Sequence, residues 1–224
     1  MKIQRNKLFR LAATGTAGLA LAQAASAATV LDSITGFAND EGVPSAYGSN
    51  LAGTPDIALN WGGGTKADGW DSYGTWDGRD QPLQTDYTQL NPMSVSFTPG
   101  SATIGVLITS FELDEWAGGG DSVINWTVKN GGTTIVSGTF DDFNNVNDPG
   151  DAGGRSLVNT GMTTAQALAN AGDVLTLEFT MASGDGAYQA MDNLTFDQVA
   201  VPEPSSAALA ALGLGAMAMR RKRK

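Results

Sequence analysis

The stretch that decides the fold is INWTVKNGGTTIVSGTF, residues 124–140. Every second residue of its first half is apolar (Ile124, Trp126 and Val128), which is typical of a strand with one buried face. Asn130-Gly131-Gly132 supplies the residue types of a tight turn, and the residues after it form the return strand. The segment therefore predicts a β-hairpin with one side against a core.

The same period of two recurs along the chain. Strands are predicted at Met93–Phe97, Ile104–Ile108, Leu175–Phe179 and Leu194–Phe196, with weaker ones at Val30–Phe37 and Asp56–Trp61. One helix is predicted from Thr163 to Ala171, with Gly172 placed to end it. Many short strands with Gly, Asn and Asp turns favour an all-β antiparallel sandwich, of which a jelly roll fits best. Residues 62–80 and 141–154 are expected to form its long loops.

Composition excludes several kinds of chemistry. The chain has 224 residues, a net charge of −10, and neither Cys nor His. Disulfides, thiol nucleophiles, Cys/His zinc sites and serine triads built on His are therefore excluded. The acidic balance also argues against nucleic acid, because phosphate binding needs clustered Lys and Arg on the folded part.

The N-terminus has the three parts of a secretory signal. Its basic start consists of Lys2, Arg5, Lys7 and Arg10. An apolar stretch of 12 residues follows, Leu11 to Ala22, and then Ala25-Ser26-Ala27 with small residues at the cleavage positions. The stretch is too short for a spanning helix, so we predict a signal peptide at 1–27 that signal peptidase removes after Ala27.

The C-terminus carries a second targeting pattern. Pro202, Glu203 and Pro204 form a stiff extended joint, since two prolines cannot lie inside a helix. The uncharged segment Ala207–Met219 follows and is predicted to form a short transmembrane helix. The chain closes with five basic residues, which favour a cytoplasmic end: Arg220, Arg221, Lys222, Arg223 and Lys224.

Residues 201–224 resemble the PEP-CTERM sorting signal of Gram-negative bacteria, because Pro-Glu-Pro, an apolar helix and a basic end occur in that order. The resemblance implies removal of the tail by a membrane protease-transpeptidase, an exosortase, after transient anchoring in the inner membrane. It further implies that the protein is secreted or held at the cell surface. Such proteins are associated with extracellular polysaccharide and biofilm matrix.

Between the two signals lies one domain, predicted at residues 28–200. It contains four basic and 22 acidic residues, for a net charge of −18. A body this acidic stays soluble, repels anionic polymers unless cations bridge them, and offers oxygen ligands of the kind that calcium prefers.

Asp192 is the first candidate calcium ligand. It lies in the segment Tyr188–Phe196, which is similar to the last strand of jelly-roll modules, including carbohydrate-binding modules. Alternation along this strand places Asp192 on the apolar side with Leu194 and Phe196, where a carboxylate needs a partner. The resemblance implies a structural calcium ion there, and the alternative is an Asp that accepts bonds from backbone amides.

A second candidate for calcium is the segment 141–151, with four Asp and three Asn in 11 residues. Its candidate ligands are Asp141 and Asp142. The spacing does not match an EF-hand loop, and the alternative is a solvated loop built from Asx turns.

A group of aromatic residues among Gly and Asp suggests a sugar platform. Trp70, Tyr73 and Trp76 lie in the segment that follows Trp61. Exposed rings stack on sugars, and neighbouring Asp and Asn bond sugar hydroxyls. The alternative is that these rings close one end of the sandwich, since Trp is highly buried on average.

The acidic residues Glu112, Asp114 and Glu115 suggest a glycosidase, because such enzymes use paired carboxylates. One jelly-roll family of glycoside hydrolases has Glu-x-Asp-x-Glu on a strand, which places all three acids on one face. Here Glu115 follows Asp114 directly, so strand alternation points Glu115 away from Glu112 and Asp114, and the motif supplies no facing carboxylate pair. We therefore predict a non-enzymatic exported matrix or surface protein that associates with polysaccharide. A carbohydrate-binding module is the alternative, and a polysaccharide hydrolase or lyase is the third hypothesis.

Overall fold

The computed structural model describes residues 28–32, 38, 41–63, 70–72, 75–76, 79–80, 83–85, 92–116, 123–141, 156–183 and 188–202. Within these residues, no helix is long and apolar enough to cross a bilayer. The predicted signal peptide, the predicted transmembrane helix and the basic tail lie outside them.

The described elements are strands β1 (Thr29–Leu31), β2 (Glu41–Gly42), β3 (Ile57–Gly63), β4 (Trp70–Ser72), β5 (Thr75–Trp76), β6 (Arg79–Asp80), β7 (Leu83–Thr85), β8 (Met93–Pro99), β9 (Ile104–Trp116), β10 (Val123–Asn130), β11 (Thr133–Asp141), β12 (Ser156–Asn159), β13 (Leu175–Ser183) and β14 (Tyr188–Ala200), with one helix, α1 (Thr164–Ala169). All strand pairs are antiparallel. The architecture is therefore the predicted all-β one with a short helix.

Two large sheets form the body. The first has five strands in the order β11-β10-β13-β8-β3. The second has seven, in the order β12-β9-β14-β7-β4-β2, with β1 also paired to β14. The short strands β5 and β6 pair with each other.

The core consists of the apolar side chains on the inward faces of the two large sheets. Phe97 and Phe179 of the five-stranded sheet are fully buried, as are Phe111 and Phe196 of the seven-stranded sheet. Their rings meet edge to face, with centroids 5.2 Å apart for Phe97–Phe196 and 5.3 Å for Phe111–Phe179. Aromatic contacts of this geometry add to the apolar burial, so the two sheets share one core.

The decisive hairpin is confirmed. β10 and β11 pair across the turn, where Gly131 adopts a φ of 54° that glycine tolerates best. The apolar residues Ile124, Trp126 and Val128 are buried as expected.

The predicted helix is also present. It is α1 (Thr164–Ala169), which has fewer than two turns. Its first backbone amides are satisfied by a capping box between Thr163 and Gln166, and Gly172 follows its end with a φ of 85°. The helix approaches β9 so closely that a Cβ at Gly105 would lie 2.3 Å from the backbone oxygen of Ala167.

Two expectations needed revision in extent. β9 runs to Trp116, well beyond the apolar segment 104–108, because polar residues on one face do not end a strand. The segment 62–80, for which the sequence predicts a long loop, contains the end of β3 and the short strands β4, β5 and β6.

Candidate functional site

The last strand leads directly to the segment that carried the targeting pattern. β14 pairs with β9 up to the couple Ala200–Ile104, and the amide of Val201 donates to the carbonyl of Thr103 at 2.7 Å. Pro202 is the next residue and is exposed. The Pro-Glu-Pro joint therefore begins one residue after the last backbone bond of the sheet.

Hydrogen bonds between the side chain of Gln198 and Asp56 stabilise the same end of the sandwich. Gln198 accepts a bond from the amide of Asp56 at 3.1 Å and donates one to its carboxylate at 2.9 Å. The carbonyl of Asp56 accepts from the amide of Gly100 at 2.7 Å. We call the bonds Asp56–Gln198 and Thr103–Val201 the exit clasp, because they fasten both sheets to the strand that leaves the body.

A second feature is the outer side of the five-stranded sheet. The residues there alternate with the buried core positions and are almost all Ser, Thr or Asn. This polar face comprises Asn60, Ser94, Ser96, Thr98, Asn125, Thr127, Lys129, Ser137, Thr139, Thr176, Glu178 and Thr180. Its two charges are of opposite sign, so the face has no net charge.

Strand register aligns these side chains into rows across the sheet. Thr127 lies between Glu178 and Ser137, and Asn125 lies between Thr180 and Thr139. Adjacent strands are about 4.8 Å apart, so each row presents polar groups at a regular spacing on a rigid support.

A pocket of about 350 Å³ opens on this polar face. Its lining, the face pocket, is Asn125, Trp126, Thr127, Lys129, Ser137, Gly138, Thr139, Glu178 and Thr180. The volume is at the low end of the range for small-molecule sites, about 300–1,000 Å³.

Hydrogen bonds fix several lining groups. The ammonium of Lys129 forms an ion pair with the carboxylate of Glu178, both of them partly buried. The hydroxyl of Thr139 donates to Oδ1 of Asn125 at 3.3 Å. Among the described residues, no acceptor pairs with the amide nitrogen of Asn125, so its two hydrogens can bond to water or to a ligand.

Two side-chain atoms of these residues are buried without a hydrogen-bond partner among the residues that the structure describes. They are the hydroxyl oxygen of Thr127, on the polar face, and the indole Nε1 of Trp126, whose ring lies on the core side and meets Phe111 edge to face. Trp126 as a whole is only 5% exposed. A Cβ at Gly138 would lie 2.4 Å from the indole ring, so the absence of a side chain at Gly138 makes room for it.

Asp192, the first predicted calcium ligand, is buried at 6% exposure. Its Oδ1 accepts a bond from the amide of Asn193 at 2.7 Å. Asn193 has a φ of 48° and lies at a register shift, so the alternation that placed Asp192 with Leu194 is interrupted. The pairing brings Asp192 opposite Glu112 instead.

The other predicted calcium ligands are not gathered around Asp192 in the described part of the chain. Asp141 is the last residue of β11 in the five-stranded sheet, whereas Asp192 belongs to the seven-stranded one. Asp142 lies outside the described residues. Across the ranges that the structure covers, no group of three or more acidic residues could hold a metal ion.

The predicted aromatic platform is described only in part. Trp70 begins β4 and Trp76 ends β5, in different sheets, while Tyr73 lies outside the described residues. Trp61, which precedes them, is a core residue whose indole donates to the carbonyl of Tyr47 at 2.8 Å. For Trp61 the buried alternative therefore holds.

Sequence reasoning did not single out the face pocket. Asn125, Thr127, Thr139, Glu178 and Thr180 occupy polar positions within predicted strands, and no motif marks them. The available signal was that only Lys129 and Glu178 are charged among the twelve residues of the polar face.

Comparison with known families identifies the C-terminus. A family model, the PEP-CTERM protein-sorting motif, matches residues 200–224. The predicted sorting motif is thereby confirmed, and its match begins at Ala200, the last residue of β14. This motif indicates an exported, cell-surface protein that is processed by an exosortase.

Among solved structures, the chain is similar to carbohydrate-binding modules. A family 29 carbohydrate-binding module is 15% identical with a TM-score of 0.34, over 77% of this chain and 88% of the module. A variant of such a module has a TM-score of 0.35, with 15% identity over 76% of this chain and 91% of its own. Another, complexed with mannohexaose, has a TM-score of 0.33, with 15% identity over 78% and 93%.

No curated protein matches the sequence.

Proposed function

We propose that this protein is a non-enzymatic component of the bacterial cell surface or extracellular matrix, which associates with extracellular polysaccharide. Its processed body is residues 28–200, a β-sandwich of jelly-roll type. The observation that carries the proposal is the sorting motif at residues 200–224, which follows the last strand without a linker.

The order of events follows from the two terminal signals. Signal peptidase removes residues 1–27 at the inner membrane of a Gram-negative host, and the segment Ala207–Met219 then holds the exported chain there. The basic residues 220–224 keep the end cytoplasmic. Exosortase cleaves near Pro202-Glu203-Pro204 and releases or attaches the body.

The exit clasp supports this assignment. Since backbone pairing extends to Val201, the joint at Pro202 is the first part of the chain that is free of the sheet. A protease that works at the membrane surface meets the exposed Pro202 immediately beside the folded body.

The test is replacement of Pro202, Glu203 and Pro204 by alanine in the native host. The wild-type chain should lose its tail and leave the membrane fraction, whereas the triple variant should remain there at a mass that includes residues 205–224. A double substitution of Ser205 and Ser206 by alanine is the matched control and should be processed normally. Cleavage of the triple variant at the wild-type rate would contradict the proposal.

A carbohydrate-binding module is the second candidate function. The polar face, whose two charges form an ion pair, and its pocket favour it, because hydroxyl and amide groups on rigid strands suit the hydroxyls of sugars. The aromatic platform at Trp70, Tyr73 and Trp76 stays a prediction within this candidate. Alanine at Trp70 or Trp76 should weaken retention by polysaccharide and leave folding intact.

Calcium also stays a prediction, for Asp192, Asp141 and Asp142. An ion bound only by the folded body raises its melting temperature in proportion to the logarithm of ion concentration. Thermal melting in millimolar calcium and in chelator therefore tests it, with magnesium as the control ion. Identical melting curves would remove calcium from the proposal.

A further inference from the structure

We propose that the face pocket binds a neutral polysaccharide, one whose sugar units carry hydroxyl groups and no carboxylate or sulfate. The inference rests on the proposed function, because it names the class of polymer that the exported body would meet. It locates the binding on the five-stranded sheet rather than at the predicted aromatic platform.

The chemistry of the lining points to hydroxylated units. Ser and Thr hydroxyls can donate and accept, the amide of Asn125 can do both, and Lys129 and Glu178 add a strong donor and a strong acceptor. A sugar hydroxyl is likewise a donor and an acceptor. Four of the nine lining residues are Ser or Thr, so the pocket can pair with hydroxyls in either sense.

The distribution of charge selects a neutral polymer. Lys129 is one of only four basic residues in the body, and Glu178 compensates it. The remaining body is strongly acidic and repels polyanions at a distance. An anionic polysaccharide therefore finds no free cation in the pocket and an adverse field around it.

A buried atom on the polar face indicates that the pocket is incomplete without a ligand or water. Thr127 Oγ1 is both a donor and an acceptor, and it has no partner among the described residues. Buried polar atoms without a partner are uncommon because they lose hydration without compensation. Thr127 lines the pocket.

The experiment uses the full chain in mild non-ionic detergent and gel electrophoresis through dissolved polysaccharide. The neutral probes are galactomannan, mixed-linkage β-glucan and dextran, and the anionic probes are alginate and polygalacturonate. We expect at least one neutral probe to retard the protein and the anionic probes to leave it unretarded. Retardation by anionic probes alone, or by none, would overturn the inference.

Pocket variants locate the binding. Asn125→Ala and Thr127→Val should each weaken retardation by the neutral probe roughly fivefold to tenfold, the loss of one or two hydrogen bonds. Thr98→Val is the matched control, since it makes the same type of change on the same polar face but outside the lining. Equal retardation of all variants would place the binding elsewhere and overturn the inference.

The ion pair tests charge selection. Glu178→Gln removes the negative partner of Lys129 with little change of shape and should allow measurable retardation by alginate. Retardation that stays absent would contradict the role of charge compensation.

Exosortase processing separates this inference from the proposed function. Asn125→Ala should be processed at the wild-type rate in the host, because the pocket lies on the sheet face and the cleavage joint lies beyond β14. A protein that binds galactomannan but keeps its tail would leave the pocket inference standing and overturn the proposed function.

Discussion

The polar face of the five-stranded sheet and the exit clasp are built by different means. The polar face depends on side chains: twelve positions whose hydroxyls, amides and one ion pair define what can bind. The exit clasp depends mainly on backbone pairing that continues to Val201, with one side-chain tie at Asp56. The proposed recognition should therefore be sensitive to single substitutions, whereas presentation of the sorting motif should be sensitive to chain length and to the sheet beneath it.

The largest effect should come from the core that both regions share. Phe179 is fully buried beneath the polar face and meets Phe111 of the seven-stranded sheet. Phe179→Ala should lower the free energy of unfolding by about 3–5 kcal/mol, and Phe179→Leu by less than half of that. Urea denaturation measures both. If the alanine variant lost polysaccharide retention while its stability stayed unchanged, the two regions would not share a core.

Glycine substitutions should give the next largest effects and distinguish the regions. Gly138→Ala places a Cβ against the indole of Trp126, and Gly105→Ala places one against the backbone of α1. Each should cost about 1–3 kcal/mol of stability, but only Gly138→Ala should also alter the face pocket. Gly132→Ala is the control, because its Cβ would meet nothing within 4 Å. Equal melting temperatures for Gly138→Ala and Gly132→Ala would contradict the packing of Trp126.

A lengthened joint tests the exit clasp directly. Insertion of Gly-Ser-Gly-Ser between Val201 and Pro202 moves the cleavage joint up to about 13 Å from the sheet. We expect faster processing in pulse-chase experiments and unchanged polysaccharide retention, because the protease then no longer works against the folded body. The same insertion between Gly131 and Gly132 is the control and should leave processing unchanged. Slower cleavage of the lengthened joint would show that the adjacent body assists the protease.

The local pattern of apolar and turn residues predicted the strands and the helix better than it predicted which strands pair with each other. The hairpin at residues 124–140 and the helix after Thr163 were predictable because each contains its own turn or cap chemistry. β9 was predicted too short, since Ser110 and Glu112 lie on one face of a strand that continues beneath them. The sorting motif was predictable because its three parts are contiguous in sequence.

The face pocket could not be predicted for a physical reason. Asn125 and Thr127 meet Thr180 and Glu178 only through the register of β10 against β13, two strands far apart in the chain. Alternation fixes which side of a strand a residue faces, but it does not fix which residue lies opposite. Asp192 shows the same limit, because a residue at positive φ next to it interrupts the alternation on which its orientation was based.

The smallest predicted effect concerns the side-chain tie of the exit clasp. Asp56→Ala removes the carboxylate that accepts from Gln198 and leaves the backbone bonds of Asp56 in place. The contact is exposed, so its loss should cost about 0.5–1 kcal/mol, a shift of roughly 1–4 °C in melting temperature. Gln198→Ala also removes the acceptor of the Asp56 amide, so it should give a somewhat larger shift, and the double variant should match Gln198→Ala, because both substitutions act on one contact. Processing and polysaccharide retention should stay at wild-type levels in all three. Additive shifts in the double variant would mean that Asp56 and Gln198 stabilise the body independently, and the exit would then be held by the backbone of β14 alone.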